Sequence, residues 1–270
     1  MGMTLSMRNA ILLIGLALNL LLLGGILLGL GRIAPESALR PGEMQALVQW
    51  SIEAYEGRIA ALITIHLLSF FSVLILYGRF RKTASPEIFF FLLYLLSLGA
   101  EGMSILPAVM RNLQAPIYID ILIVKIIQMS RLFGILSIFS AGLFANGMQY
   151  QKLSIAFGIA LLTSFTFASL LPVPDPGFNL QSGNAMHQIS DLMIVVGILK
   201  VLSVLNFVVA WIRNSIRDYL WLAVACGSVL IGSEGVLEPG SAWMRIPAAL
   251  LLLFGIRLYA RRTHEIYLWI

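Results

Sequence analysis

Apolar runs recur along the chain, each about twenty residues long. At 1.5 Å per residue that length crosses the roughly 30 Å hydrocarbon core of a bilayer. Eight such runs occur, at 9–31, 59–79, 87–109, 117–144, 152–172, 188–212, 219–235 and 242–260. Polar and turn-forming residues separate them, and the two longest separators are 32–58 and 173–187. The pattern predicts an all-α polytopic transmembrane helix bundle forming a single integral membrane domain over 1–270. The seventh run, YLWLAVACGSVLIGSEG, is short and glycine-rich, and its small residues suit close helix packing.

The first run starts beside Arg8, as a secretory signal would, but its apolar stretch exceeds the roughly 7–15 residues of a signal core. It is therefore read as an uncleaved anchor, giving seven spans plus an N-terminal anchor span. Segment 34–57 sets Glu36, Glu43, Glu53 and Glu56 beside Leu47, Val48, Trp50 and Ile52. It predicts an outer linker with a short amphipathic helix from Glu43 to Tyr55, either lying at the interface or solvated. The Pro-, Gly- and Asn-rich LPVPDPGFNLQSGN at 171–184 reads as an irregular outer loop. No internal repeat is visible.

Composition agrees with the span pattern. Hydrophobic residues make up 59% of the 270 and charged residues 11%, against about a quarter charged in soluble domains. Mean hydropathy is +0.92. The net charge of +5 is informative by position. With the N-terminus cytoplasmic, the inner side holds Arg8, Arg79, Arg81, Lys82, Lys152, Arg213, Arg217, Arg261 and Arg262, and the outer linkers only Arg32, Arg40, Arg58 and Arg111. Lys and Arg collect on the cytoplasmic side, so both termini are expected to be cytoplasmic in a cell-membrane protein. No basic tract is interleaved with aromatics, which argues against nucleic acid as a partner. Cys226 is the lone cysteine and reads as a small buried hydrophobe.

Ionisable residues inside the spans carry the candidate chemistry, because charge in hydrocarbon is costly and marks a site by default. YIDILIVKIIQMSRLFGIL (118–136) alone holds Asp120, Lys125 and Arg131, with Gln128 between them. Counted from each span's outer end, His66, Glu101, Asp120 and Lys125 fall roughly 5–12 Å deep, with Asp191, Glu234 and Arg245 within about 6 Å. This outer layer predicts a polar ligand pocket lined by His66, Glu101, Asp120, Lys125, His187, Asp191, Lys200 and Arg245. His187 and Asp191 share a helix face, and Lys200, Ser203 and Asn206 form a second stripe facing a neighbouring helix. Lys200 lies about 18 Å from the outer face, where it needs a partner or water. The inner third holds few charges besides Arg131 and Arg257, which are read as reaching the inner surface.

For a metal, His66, His187 and Asp191 are the candidate ligands, with Glu101 beside them. Haem and retinal lack any supporting motif. No nucleophile elbow or zinc-protease helix occurs, so the balance is against an enzyme. The leading expectation is a sensor or receptor that binds a small polar ligand and signals through a separate membrane or cytoplasmic protein partner. The alternatives are an ion, proton or small-solute transporter, a membrane-embedded lipid-modifying enzyme, and a structural subunit of a membrane complex.

Overall fold

A computed structural model describes residues 3–37, 45–83, 85–107, 110, 116–171, 190–237 and 242–268. Among these residues the chain is helical and contains no strand. The helices are α1 (Leu5–Ser37), α2 (Gln45–Phe80), α3 (Pro86–Gly99), α4 (Ile117–Ala145), α5 (Leu153–Leu170), α6 (Ser190–Asn214), α7 (Arg217–Leu237) and α8 (Ala242–Leu268). A 3₁₀ segment, Ala100–Ile105, continues α3, and another, Tyr150–Lys152, leads into α5. Eight segments are long and apolar enough to cross a membrane: Leu5–Leu28, Gly57–Phe80, Pro86–Ile105, Tyr118–Ala145, Tyr150–Leu170, Ile194–Asn214, Arg217–Leu237 and Trp243–Tyr267. Each coincides with one of the eight apolar runs. The helical turns expected at the end of the 34–57 linker are the start of α2, whose backbone runs unbroken from Gln45 into the second span.

Local chemistry sets the boundaries. Ser85 caps α3 by accepting a hydrogen bond from the Ile88 N–H at 3.2 Å, with Pro86 in the first turn where its missing N–H costs nothing. The end of α4 is a Schellman turn. Gly147 takes φ 89° and donates its N–H to the Phe144 carbonyl at 2.9 Å, while the Met148 N–H reaches the Leu143 carbonyl at 3.3 Å.

The third helix is the axis of the bundle. Every residue of Pro86–Gly99 is buried, as a helix that is apolar all round requires. Around it pack α1, α2, α4 and α8, while α5 and α6 lean on α4, and α7 joins α6 to α8. Phe91 stacks on Tyr259 at 3.9 Å between centroids, and Phe90 stacks on Phe144 at 5.5 Å. The seam between α7 and α8 is built on glycine. A β-carbon on Gly232 would stand 2.6 Å from the Leu252 nitrogen, and one on Gly255 would stand 2.9 Å from the Ala225 carbonyl oxygen. Backbones this close are the membrane solution to packing without a hydrophobic drive. The small residues of the seventh run serve this seam, and Cys226 is buried within it. On α4, Gly142 admits Asn206 of α6, whose side chain would lie 2.6 Å from a β-carbon there.

Even-numbered spans bring the start of α1, the α2–α3 connection and the end of α8 to one end of the bundle, called the terminal end below. There the Arg8 guanidinium donates to the Thr83 carbonyl at 2.7 Å and lies 5.7 Å from the Phe89 ring centroid.

Candidate functional site

Towards the far end, α3 tightens from α to 3₁₀ geometry at Ala100. The 3₁₀ segment forms the last six residues of the span Pro86–Ile105, and tightening of this kind is common at helix ends. Two glycines flank the change and let neighbours approach. A β-carbon on Gly99 would lie 2.2 Å from Asn19 Oδ1, and one on Gly102 would lie 3.0 Å from His66 Nδ1. His66 is fully buried, with Nδ1 2.6 Å from the Gly99 carbonyl oxygen and Nε2 3.1 Å from the Asn19 carbonyl oxygen. A carbonyl only accepts, so whichever ring nitrogen carries the proton donates to the carbonyl it faces, and the ring sits where α1, α2 and α3 meet.

The tightened turn presents Glu101, 4% exposed, to Arg131 of α4. Arg131 donates through Nε to Oε1 and through Nη2 to Oε2, a bidentate fork-to-carboxylate pair. Around this pair gather charges from other helices. Arg58 of α2 lies in the field of Glu101, Arg131 and Arg245. Arg245 of α8 donates to the Gly57 carbonyl, and its guanidinium lies against the bare glycine, where a β-carbon would stand 2.7 Å from Nη1. Glu234 of α7 acts on Arg131 across the bundle and is itself paired with Lys200 of α6. The Tyr94 hydroxyl, 3.1 Å from Ser233 Oγ, ties α3 to α7 at the same level. Gln128, one helical turn from Arg131, is 2% exposed, and neither atom of its amide has a hydrogen-bond partner among the described residues.

Of the residues expected at the site, Glu101, Arg245 and Lys200 belong to this linked set, and His66 abuts it through Gly99. Lys125 sits apart. Its ammonium donates to the Ala168 carbonyl at 2.8 Å, to Ser169 at 3.0 Å and to Leu171, capping the C-terminus of α5. Those carbonyls have no intrahelical partner and carry the negative end of the helix dipole. Asp120 is half-buried in the first turn of α4. Asp191 starts α6, but its side chain, like all of His187, lies outside the described residues.

Three sequence expectations are corrected. Arg131 does not reach for the inner surface but turns to Glu101, because α4 is longer than its neighbours and its own start is no measure of depth. Lys125, expected to line the pocket with Glu101 and Asp120, is level with the C-terminal end of α5 and donates to its carbonyls instead. The terminal end holds a buried carboxylate that the sequence reading did not count: Glu87 is buried there, as is Arg8. The Glu87 carboxylate accepts from Ser85 Oγ at 2.8 Å and from the Tyr267 hydroxyl, joining α3 to α8. A sequence signal for this position exists in Ser85-Pro86-Glu87, a helix N-cap followed by proline and an acid in the first turn. Arg257 is exposed, in keeping with a lipid-facing or interfacial head.

Among the described residues no three His, Cys, Asp or Glu side chains gather as a metal site would require. Both ring nitrogens of His66 face backbone carbonyl oxygens. Comparison with protein-family models, curated proteins and solved structures gave no match. The conclusion at this level is a multi-pass, membrane-type helical bundle.

Proposed function

We propose that this bundle is a ligand-binding membrane protein of sensor or receptor type, with its site among α2, α3, α4 and α8 at the far end. The observation that carries the reading is the buried Glu101–Arg131 pair, with Arg58, Arg245 and Glu234 close enough for their charges to act on it and Glu234 itself paired with Lys200. Charges kept only to hold helices together need no more than separate pairs. A shared set beside a buried, unpartnered amide is the kind of convergence that binding sites show. By the basic-residue bias, the far end is the exterior one.

Signalling in this reading runs along α3. Glu101 stands on its 3₁₀ extension, and Glu87, about 21 Å away at 1.5 Å per residue, is held by Tyr267 of α8 at the terminal end. A ligand that draws on Arg131 alters the hold on Glu101 and so the 3₁₀ turn. Because α3 is packed on every side, the strain is passed along it rather than absorbed. The test is hydrogen exchange on the purified protein in nanodiscs, with and without a solute found to stabilise it. Slower or faster exchange at 80–88 and 261–268 on binding supports the sensor. Binding that leaves those segments unchanged overturns signalling and favours a carrier. For a carrier the specific support is the Lys200–Glu234 pair, whose Glu234 side chain is 59% exposed at the bundle surface. Liposome flux abolished by Lys200→Ala is its test.

A further inference from the structure

We propose that an anionic phospholipid of the leaflet at the terminal end binds the outer face of α8, its phosphate held by Arg257 and Arg261. Exposed residues define that face. Leu250, Leu253 and Phe254 are exposed, and Arg257 follows them at helical spacing on the same side of α8. Arg261, four residues beyond Arg257 and also exposed, continues the stripe toward the end of the helix. The apolar members of this face point into lipid, and Arg257 stands among them.

Arg257 is the group that calls for a ligand. It makes no hydrogen bond or ion pair with any described residue. It lies ten residues before the end of its span at Tyr267, about 15 Å along the helix. Arg262, whose partner Asp218 lies in the first turn of α7, marks the charged layer of this end, and Arg257 is five residues, about 7.5 Å, deeper. A guanidinium at that depth on a lipid-facing surface is costly. Long cationic side chains relieve such a cost by snorkelling, but here the helix direction works against it. The helix α8 runs from the far end to the terminal end, and side chains tilt toward the N-terminus of their helix, so Arg257 leaves the backbone pointed away from the nearer surface. An anion that descends to Arg257 resolves the conflict, and phosphate takes the guanidinium fork through two oxygens at once.

The surroundings select a lipid as the source of that phosphate. Leu250, Leu253 and Phe254 offer acyl chains a continuous apolar strip beside Arg257, whereas a free aqueous ion would have to cross the headgroups to reach it. They also select an anionic one. Arg261 shares the Glu265 carboxylate with Arg262. The end of α2 adjoins this face, where the Phe80 ring lies 6.1 Å from that of His264, seven residues beyond Arg257, and where Arg79, Arg81 and Lys82 are exposed. Each cation near the headgroups strengthens the attraction to anionic lipid.

The full chain is purified into phosphatidylcholine nanodiscs in which phosphatidylglycerol replaces a rising fraction of the lipid, and the unfolding midpoint is followed against that fraction. The expected result is a saturable rise, its apparent affinity weakened about fivefold or more by Arg257→Leu and likewise by Arg261→Gln. No rise in the unsubstituted chain overturns the proposal. Arg217→Gln is the charge control, because it removes an exposed cation from the same end on α7 and is expected to leave the affinity unchanged. A loss equal to that of Arg257→Leu would show only general attraction to a basic surface and overturn the site. In phosphatidylcholine alone, Arg257→Leu is expected to keep or raise the midpoint, since it takes a guanidinium out of a lipid-facing position. A fall there as large as in phosphatidylglycerol would give Arg257 a purely structural role and overturn the site as well. Inorganic phosphate added to phosphatidylcholine nanodiscs is expected to have no effect. A rise with it that Arg257→Leu abolishes would make the anion an aqueous one and overturn the lipid.

Discussion

Removing the Glu101 carboxylate is the most informative single change to the bundle. Its side chain is 5% exposed and that of Arg131 15%, and the two share a bidentate geometry. Glu101→Gln keeps the shape but leaves Arg131 buried without its counter-charge, beside Arg58 and Arg245. Breaking one side of a buried pair costs about 3–5 kcal/mol. The internal control is Glu265→Gln, whose partner Arg261 is 73% exposed and whose second partner Arg262 keeps Asp218, so that its loss should cost no more than about 1 kcal/mol. The expected difference is thus roughly 3 kcal/mol. Reversible unfolding in mixed micelles, titrated with SDS and followed by tryptophan fluorescence, yields both free energies under the same conditions. The double variant Glu101→Gln/Arg131→Gln should cost less than the sum of its singles, by about 1–3 kcal/mol, since it leaves no orphaned charge. If Glu101→Gln falls within about 1 kcal/mol of Glu265→Gln, the pair is not the buried anchor described above and the site around it loses its centre.

Further outcomes test other parts of the fold. Gly232→Val should cost at least about 1–3 kcal/mol by prying α7 from α8, whereas Gly158→Ala, which meets open space, should be neutral or slightly stabilising in the same titration. Lys125→Met should quicken amide exchange in the last turn of α5 while leaving α3 protected; unchanged exchange would show that the ammonium does not cap that helix. Tyr267→Phe removes a hydroxyl donor from Glu87 and should cost about 1–3 kcal/mol, with faster exchange at the end of α8.

The spans were legible because hydrocarbon thickness fixes helix length and leaves a run of apolar residues as its trace. The central place of α3 has a trace too, in FFFLLYLL, which offers no polar face to lipid headgroups or to water. Depth was not legible. Residue counting places a side chain relative to the start of its own helix, and helices of 20 and 28 residues do not start level. That offset is why Arg131 was expected at the inner surface and is found with Glu101. Sequence could require a partner for Lys200 but could not choose Glu234, which lies on another helix and whose selection depends on how α6 meets α7. It was equally silent on the surroundings of His66, whose ring faces the carbonyls of Gly99 and Asn19 on two other helices.

The most direct measurement is a cryo-electron microscopy map of the full chain in nanodiscs, resolved well enough to show side chains and small bound groups. Density for a bound group within hydrogen-bond distance of Glu101, Arg131 or Gln128 is the expected result. Side chains of the protein filling that space, with no bound group, would contradict it.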